Sequence, residues 1–118
     1  MAPLEYYQRA IEYINSKVKN PVYFIFSNDI DWCKNNLNIK EQIYYIDWNK
    51  GEESYRDMQL MSLCKHNIIP NSSFSWWGAW LNDNPNKIVI APEKWFNDCI
   101  KIDYSNIVPE TWIKIKNY

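Results

Sequence analysis

The sequence predicts an α/β protein with an open, mostly parallel sheet flanked by helices, and three features carry that expectation. Apolar runs of strand length alternate with segments whose apolar residues recur every three or four positions, in the order α, β, β, α, β, α, β. The run at 22–27 is apolar on both faces, as a strand covered on both sides of a parallel sheet must be. Residues 68–81 pass from an apolar run through Pro70-Asn71 and a cluster of serines into an apolar helical segment, which reads as strand, tight turn and helix.

Taken in order, Leu4, Tyr7, Ile11, Ile14 and Val18 form one stripe, with Glu5, Arg9, Glu12 and Lys19 on other faces, so residues 3–19 predict an amphipathic helix on the flank of a sheet. Pro3 suits its first turn and Asn20-Pro21 stops it. The strand that usually precedes such a helix in an alternating fold is missing from the sequence. The first strand, 22–27, runs into the polar loop Asn28-Asp29-Ile30-Asp31 and a short helical piece at 32–37. A second strand at 42–46 ends at Asp47 and is followed by a loop with a turn glycine, Gly51. Ser54-Tyr55-Arg56-Asp57 matches a capping box and opens a helix through Met58, Leu60, Met61, Leu63 and Cys64. Apolar residues cover most of that helix, so it is expected to be well buried.

The third strand, 66–69, leads into the serine turn and a helix ending near Leu81. A polar loop at 82–86 precedes a fourth strand at 87–91, closed by Pro92. Residues 93–103, with Trp95 and Phe96, read as irregular, and 108–115 as an alternating strand-like tail. No internal repeat, low-complexity segment or linker divides the chain. Its 118 residues suit a single domain with a modest core.

Composition narrows the function. A net charge of −1 with interspersed signs provides no basic stripe for nucleic acid and no polybasic patch for a membrane. Seven Trp and nine Tyr are a surplus that suits stacking on sugars or bases, or an uncovered partner surface. Only two glycines are present, which excludes Gly-rich phosphate loops. Cys33, Cys64 and Cys99 have no CxxC spacing and read as reduced structural thiols in a reducing compartment. There is no secretory leader pattern and no apolar run long enough for a transmembrane helix.

The serine turn is the strongest candidate site. A helix start presents unpaired N–H groups and the positive end of the peptide dipole, so it holds a diphosphate without a charged side chain. Ser72 or Ser73 also serves as an ordinary N-cap, which explains one serine and leaves the others. Asn28 and Asp29, at the same strand end, are expected to face the same ligand. Asp29-Ile30-Asp31 also spells a metal-binding Asp-x-Asp, although two acids there equally favour a helix start. His66, the only histidine, reads as a capping or packing residue, and Asp57 as a helix cap. Trp76, Trp77 and Trp80 read mostly as core, with Trp76 or Phe74 placed to stack on a base or sugar. No side chain stands out as a nucleophile or as half of a catalytic dyad, and Asn71-Ser72-Ser73 is a chance glycosylation sequon.

Residues 57–62, 64–69 and 71–81 together closely resemble the alpha-1,2-fucosyltransferases of glycosyltransferase family 11, above all in Asn71-Ser72-Ser73-Phe74-Ser75-Trp76-Trp77-Gly78-Ala79-Trp80-Leu81. The resemblance extends to Phe26-Ser27-Asn28-Asp29, to Ile88-Val89-Ile90-Ala91-Pro92 with Trp95-Phe96, and to Pro109 with Trp112-Ile113. It implies transfer of fucose from GDP-fucose to a galactose 2-hydroxyl of an oligosaccharide, with inversion, no cofactor and no obligatory metal. The implied fold is the Rossmann-like, donor-binding C-terminal half of a GT-B-like enzyme. Asn71 to Gly78 would then lie in the GDP-fucose half, with Ser72, Ser73, Phe74 and Ser75 bordering the diphosphate and nucleotide; the strand end adds Asn28 and Asp29 to that expected donor site, and stacking adds Trp76.

Asn28 stands where the family usually has Asp, and Pro70 where a small residue is usual. The family's His-x-Arg-Arg-Gly-Asp-type segment, whose arginine neutralises the leaving diphosphate, is absent, and so is the acceptor half. The chain is therefore expected to be inactive alone, to meet its acceptor through a missing N-terminal half, and to expose an apolar patch that favours self-association. The resemblance also suggests a cytoplasmic protein, peripheral to the inner face of a bacterial membrane. Two rival readings are a non-catalytic GDP-sugar-binding module and a metal-dependent transferase using Asp29 and Asp31.

Overall fold

A computed structural model describes residues 3–27, 30–37, 39–46, 51–93 and 108–117. Helix α1 (Leu4–Lys17) is followed by strand β1 (Val22–Phe26), helix α2 (Ile30–Asn36) and strand β2 (Gln42–Ile46). A 3-10 turn (Gly51–Glu53) leads into helix α3 (Tyr55–Leu63), strand β3 (Asn67–Ile68), helix α4 (Ser73–Trp80), strand β4 (Val89–Pro92) and strand β5 (Ile113–Ile115). Asn20, with φ 54°, adopts the left-handed conformation that asparagine tolerates and turns the chain from α1 into β1.

The strands form two parallel sheets where one was expected. β1 pairs with β2 from Val22↔Gln42 to Phe26↔Ile46, while β3, β4 and β5 form the second sheet in that order. Side-chain alternation divides the second sheet into two apolar faces. Ile69, Val89, Ala91 and Trp112 pack with Ala79 and Trp76 of α4. Ile68, Ile90, Ile113 and Ile115 pack with Tyr6, Ala10 and Ile14 of α1. This sheet therefore lies between helices on both sides, as an α/β domain requires.

Helix α1 touches both sheets. The Tyr6 hydroxyl lies 2.5 Å from the Ile69 carbonyl oxygen and 3.2 Å from that of Ile90, and burial pushes its pKa well above the ordinary tyrosine value. Two turns along, the Tyr23 hydroxyl of β1 donates to the Asn15 side chain at 2.6 Å. Helix α2 covers the same face of the first sheet as α1, with Ile30 and Cys33 buried and the Lys34 ammonium 5.3 Å from the Tyr45 ring centre. The opposite face is open to solvent along Val22, Phe24, Gln42 and Tyr44 and closes at the buried Ile46, and on it Phe24 and Tyr44 stack on each other at 5.4 Å.

Four further sequence expectations change. β1 is not covered on both faces, because Val22 and Phe24 lie on the open face of a sheet with a single neighbour strand. None of the α3 residues is fully buried, because α3 packs along one line against α4 and leaves Leu63 79% exposed. Ser54 caps nothing with its side chain: it sits in helical conformation, and only its carbonyl accepts the Asp57 N–H, at 3.1 Å. Of the three tryptophans expected mostly in the core, Trp77 and Trp80 are about half exposed, because α4 has only one face against the sheet.

Candidate functional site

The serine turn sits at the carboxyl end of β3. Ser72 is the N-cap of α4, with extended backbone (φ −125°, ψ 130°), and its Oγ accepts the Ser75 N–H at 3.4 Å. Its carbonyl accepts the Trp76 N–H at 2.9 Å, the first turn of the helix proper. The Ser73 and Phe74 N–H groups precede any intrahelical acceptor and stand at the positive end of the helix. Ser72 thus takes the N-cap role that the sequence left open between two serines.

The other predicted residues distribute around this start. Asn71 and Phe74 are exposed, while Ser75 is 8% exposed and faces a cavity that also opens to Ser27 and Pro70. The carboxyl ends of β1 and β3 therefore border one cavity. Asn28 and Asp29, which follow Ser27, lie outside the described residues. Trp76 packs its ring among others, stacked 5.2 Å from Trp80, edge-on at 4.9 Å to Trp77 and 6.0 Å from Trp112. Gly78 is buried where α4 crosses α3, and a Cβ on it would meet the Met61 Cβ at 2.9 Å. Its geometry is that of close helix approach.

The cavity is the feature the sequence reading did not anticipate. It has a volume of about 560 Å³ and runs between β1 and residues 66–70, with Tyr7, Ile11 and Ile14 of α1 and Val18 at its C-cap along it. The signal lies in the apolar stripe of the first predicted helix, residues 3–19, which includes those four residues.

His66 is a structural residue. Its Nδ1 accepts the Ile88 N–H at 2.8 Å, which requires an unprotonated nitrogen, and burial together with Lys65 lowers its pKa. Asp31 is exposed in the first turn of α2, and among the described residues no group of three or more His, Cys, Asp or Glu is placed to hold a metal. Among the same residues, no helix is long and apolar enough to cross a membrane.

Comparison with known proteins places this arrangement. The chain is 42% identical over 113 residues to the O-antigen biosynthesis glycosyltransferase WbnK of Escherichia coli, covering 96% of the chain and 36% of the relative. It is 41% identical over 115 residues to an alpha-1,2-colitosyltransferase of Escherichia coli, covering 94% and 38%. Galactoside alpha-(1,2)-fucosyltransferase 1 of Homo sapiens is 25% identical over 77 residues, covering 64% and 21%. The chain thus spans little more than a third of the length of the bacterial relatives it matches. No solved structure matches. The family model described as Glycosyl transferase family 11 covers residues 1–116, and the chain belongs to that family.

Proposed function

We propose that this chain is the donor-binding part of an alpha-1,2-glycosyltransferase that transfers fucose from GDP-fucose to a galactose 2-hydroxyl of an oligosaccharide. The observation that carries the reading is the start of α4: main-chain donors that precede any intrahelical acceptor, at a strand's carboxyl end and beside a cavity, in a family 11 chain. As the glycosidic bond to the donor breaks, negative charge grows on the GDP diphosphate. The Ser73 and Phe74 N–H groups and the α4 dipole stabilise that charge without a metal. An arginine clamp and the acceptor base come from polypeptide outside this chain, so the chain binds donor and does not turn over alone.

Calorimetry with GDP and the isolated chain tests this. GDP binds, and Ser73→Pro, which removes the N–H at the first helical position while suiting that position, weakens binding about five- to tenfold, the ~1 kcal/mol of a hydrogen bond to a charged group. An isolated chain that ignores GDP, or a serine turn whose substitution leaves affinity unchanged, overturns the reading. A second donor is favoured by the 41% identity to a colitosyltransferase: the same site would take GDP-linked colitose, which lacks one ring hydroxyl of a 6-deoxyhexose. Transfer rates of the complete enzyme with the two donors separate them.

A further inference from the structure

We propose that the cavity between the two sheets is a slot for one more strand, an extended apolar segment of the longer polypeptide that runs parallel to β1 and β3 and enters α1 directly. The inference does not depend on the identity of the donor.

Strand edges carry the first argument. Among the described residues β1 has β2 on one edge and nothing on the other, and β3 has β4 on one edge and nothing on the other. Both unpaired edges border the cavity. In β3 the Asn67 and Ile69 N–H groups donate to the Ile88 and Ile90 carbonyls, at 3.0 and 2.9 Å. Successive N–H groups of a strand point to opposite edges, so the Ile68 N–H points into the slot. A buried strand edge without a partner is costly, and one parallel strand would satisfy both edges.

Connectivity carries the second. α1 and α2 cover one face of the β1–β2 sheet, whereas α4, with α3 against it, lies on the opposite side of the β3–β4–β5 sheet from α1. The chain therefore winds outward in one direction over one face and in the other direction over the opposite face. Right-handed crossovers on both sides require a common starting strand at the centre. With the slot filled, the order becomes β2, β1, slot strand, β3, β4, β5, in which the slot strand precedes α1 and the winding reverses between it and β3. That reversal is the switch point at which doubly wound sheets bind ligands, and the Pro70–Ser75 turn already sits there.

The lining defines the occupant. Ile11 of α1, Ile25 of β1 and Ile68 border the slot on the α1 side, and Phe26 of β1, Met61 of α3 and Ile69 border it on the other, so the strand is apolar on both faces. The five residues of β1 set its length, about 17 Å of extended chain. The bacterial relatives extend well beyond the segment matched here, by nearly two thirds of their length, which leaves room for such a strand in the same polypeptide.

The test is residue-resolved amide exchange on this chain, with a synthetic peptide of the ten residues that immediately precede the matched segment in the Escherichia coli O-antigen glycosyltransferase. Saturating peptide is expected to slow exchange of the Ile68 amide and alternate β1 amides at least tenfold, leaving the interior amides of α4 unchanged. The same ten residues fused ahead of residue 1 give that protection independently of protein concentration. The proposal is overturned if Ile68 exchange is unaffected in both formats, or if a scrambled peptide protects equally. It is also overturned if protection appears on the outer edges of β2 or β5, or if it rises with protein concentration alone, which would make a second copy the occupant.

Discussion

Single residues divide according to how far away their partners lie. A cap at Ser72 or Ser73 was legible because the N–H that Ser72 accepts belongs to Ser75 in the same turn. His66 was legible only as structural, since the N–H it accepts comes from Ile88, 22 residues away and just ahead of β4. Its lowered pKa, caused first by burial and then by Lys65, sets a sign. The folded state favours neutral His66, so its contribution to stability is complete above the unfolded value near 6.5 and is lost as pH falls below it toward the folded value. Chemical denaturation from pH 8 to pH 5 should show stability falling, and His66→Asn, which keeps an acceptor without titrating, should flatten that slope. Gly78 makes the opposite case, since glycine in a helix interior is normally a weakness. Here an added Cβ meets Met61, so Gly78→Ala should destabilise by ~1–3 kcal/mol in denaturant titration despite its better helix propensity.

Elements were legible where they obey a period and illegible where they depend on neighbours. The apolar stripe of α1 predicted a helix close to the observed Leu4–Lys17, because the same spacing that marks a helix face also buries it. α3 has the composition of a buried helix yet buries no residue completely, because composition does not say how many surfaces a helix meets. The loop at 82–86 read as a connector and is a ladder of asparagines. Asn82 Nδ2 donates to the Cys64 carbonyl and to Asn67 Oδ1, both at 2.7 Å, and Asn67 Nδ2 donates to the Met61 carbonyl at 2.8 Å. Lys87 closes the unit, its ammonium donating to the Ala79 and Asn82 carbonyls at the C-terminus of α4, where a cation suits the dipole. Asn82→Ala leaves the buried Asn67 side chain without its donor. It should lower stability by ~1–3 kcal/mol, read as a shift of the urea midpoint at constant slope.

The molecule as a whole carries apolar surface that no described residue covers. Phe24 and Tyr44 stack on the open face of the first sheet, and Trp77 and Trp80 on α4 and Leu81 at its C-cap stand about half exposed. Faces of this kind drive association in water. Sedimentation velocity should show a concentration-dependent shift to larger species, and the Phe24→Ser, Tyr44→Ser double variant should reduce it; an unchanged profile would move the association to the tryptophan surface. The sequence by itself determined the local elements, the helix start at the serine turn, the family and the parallel α/β character, because each depends on periods, caps and motifs within a short stretch. Only the tertiary structure decided that the sheet is divided, that a cavity separates β1 from β3, and which apolar faces stay bare. Those outcomes depend on pairing between strands remote in sequence, and no periodicity within a segment records which edge lacks a neighbour.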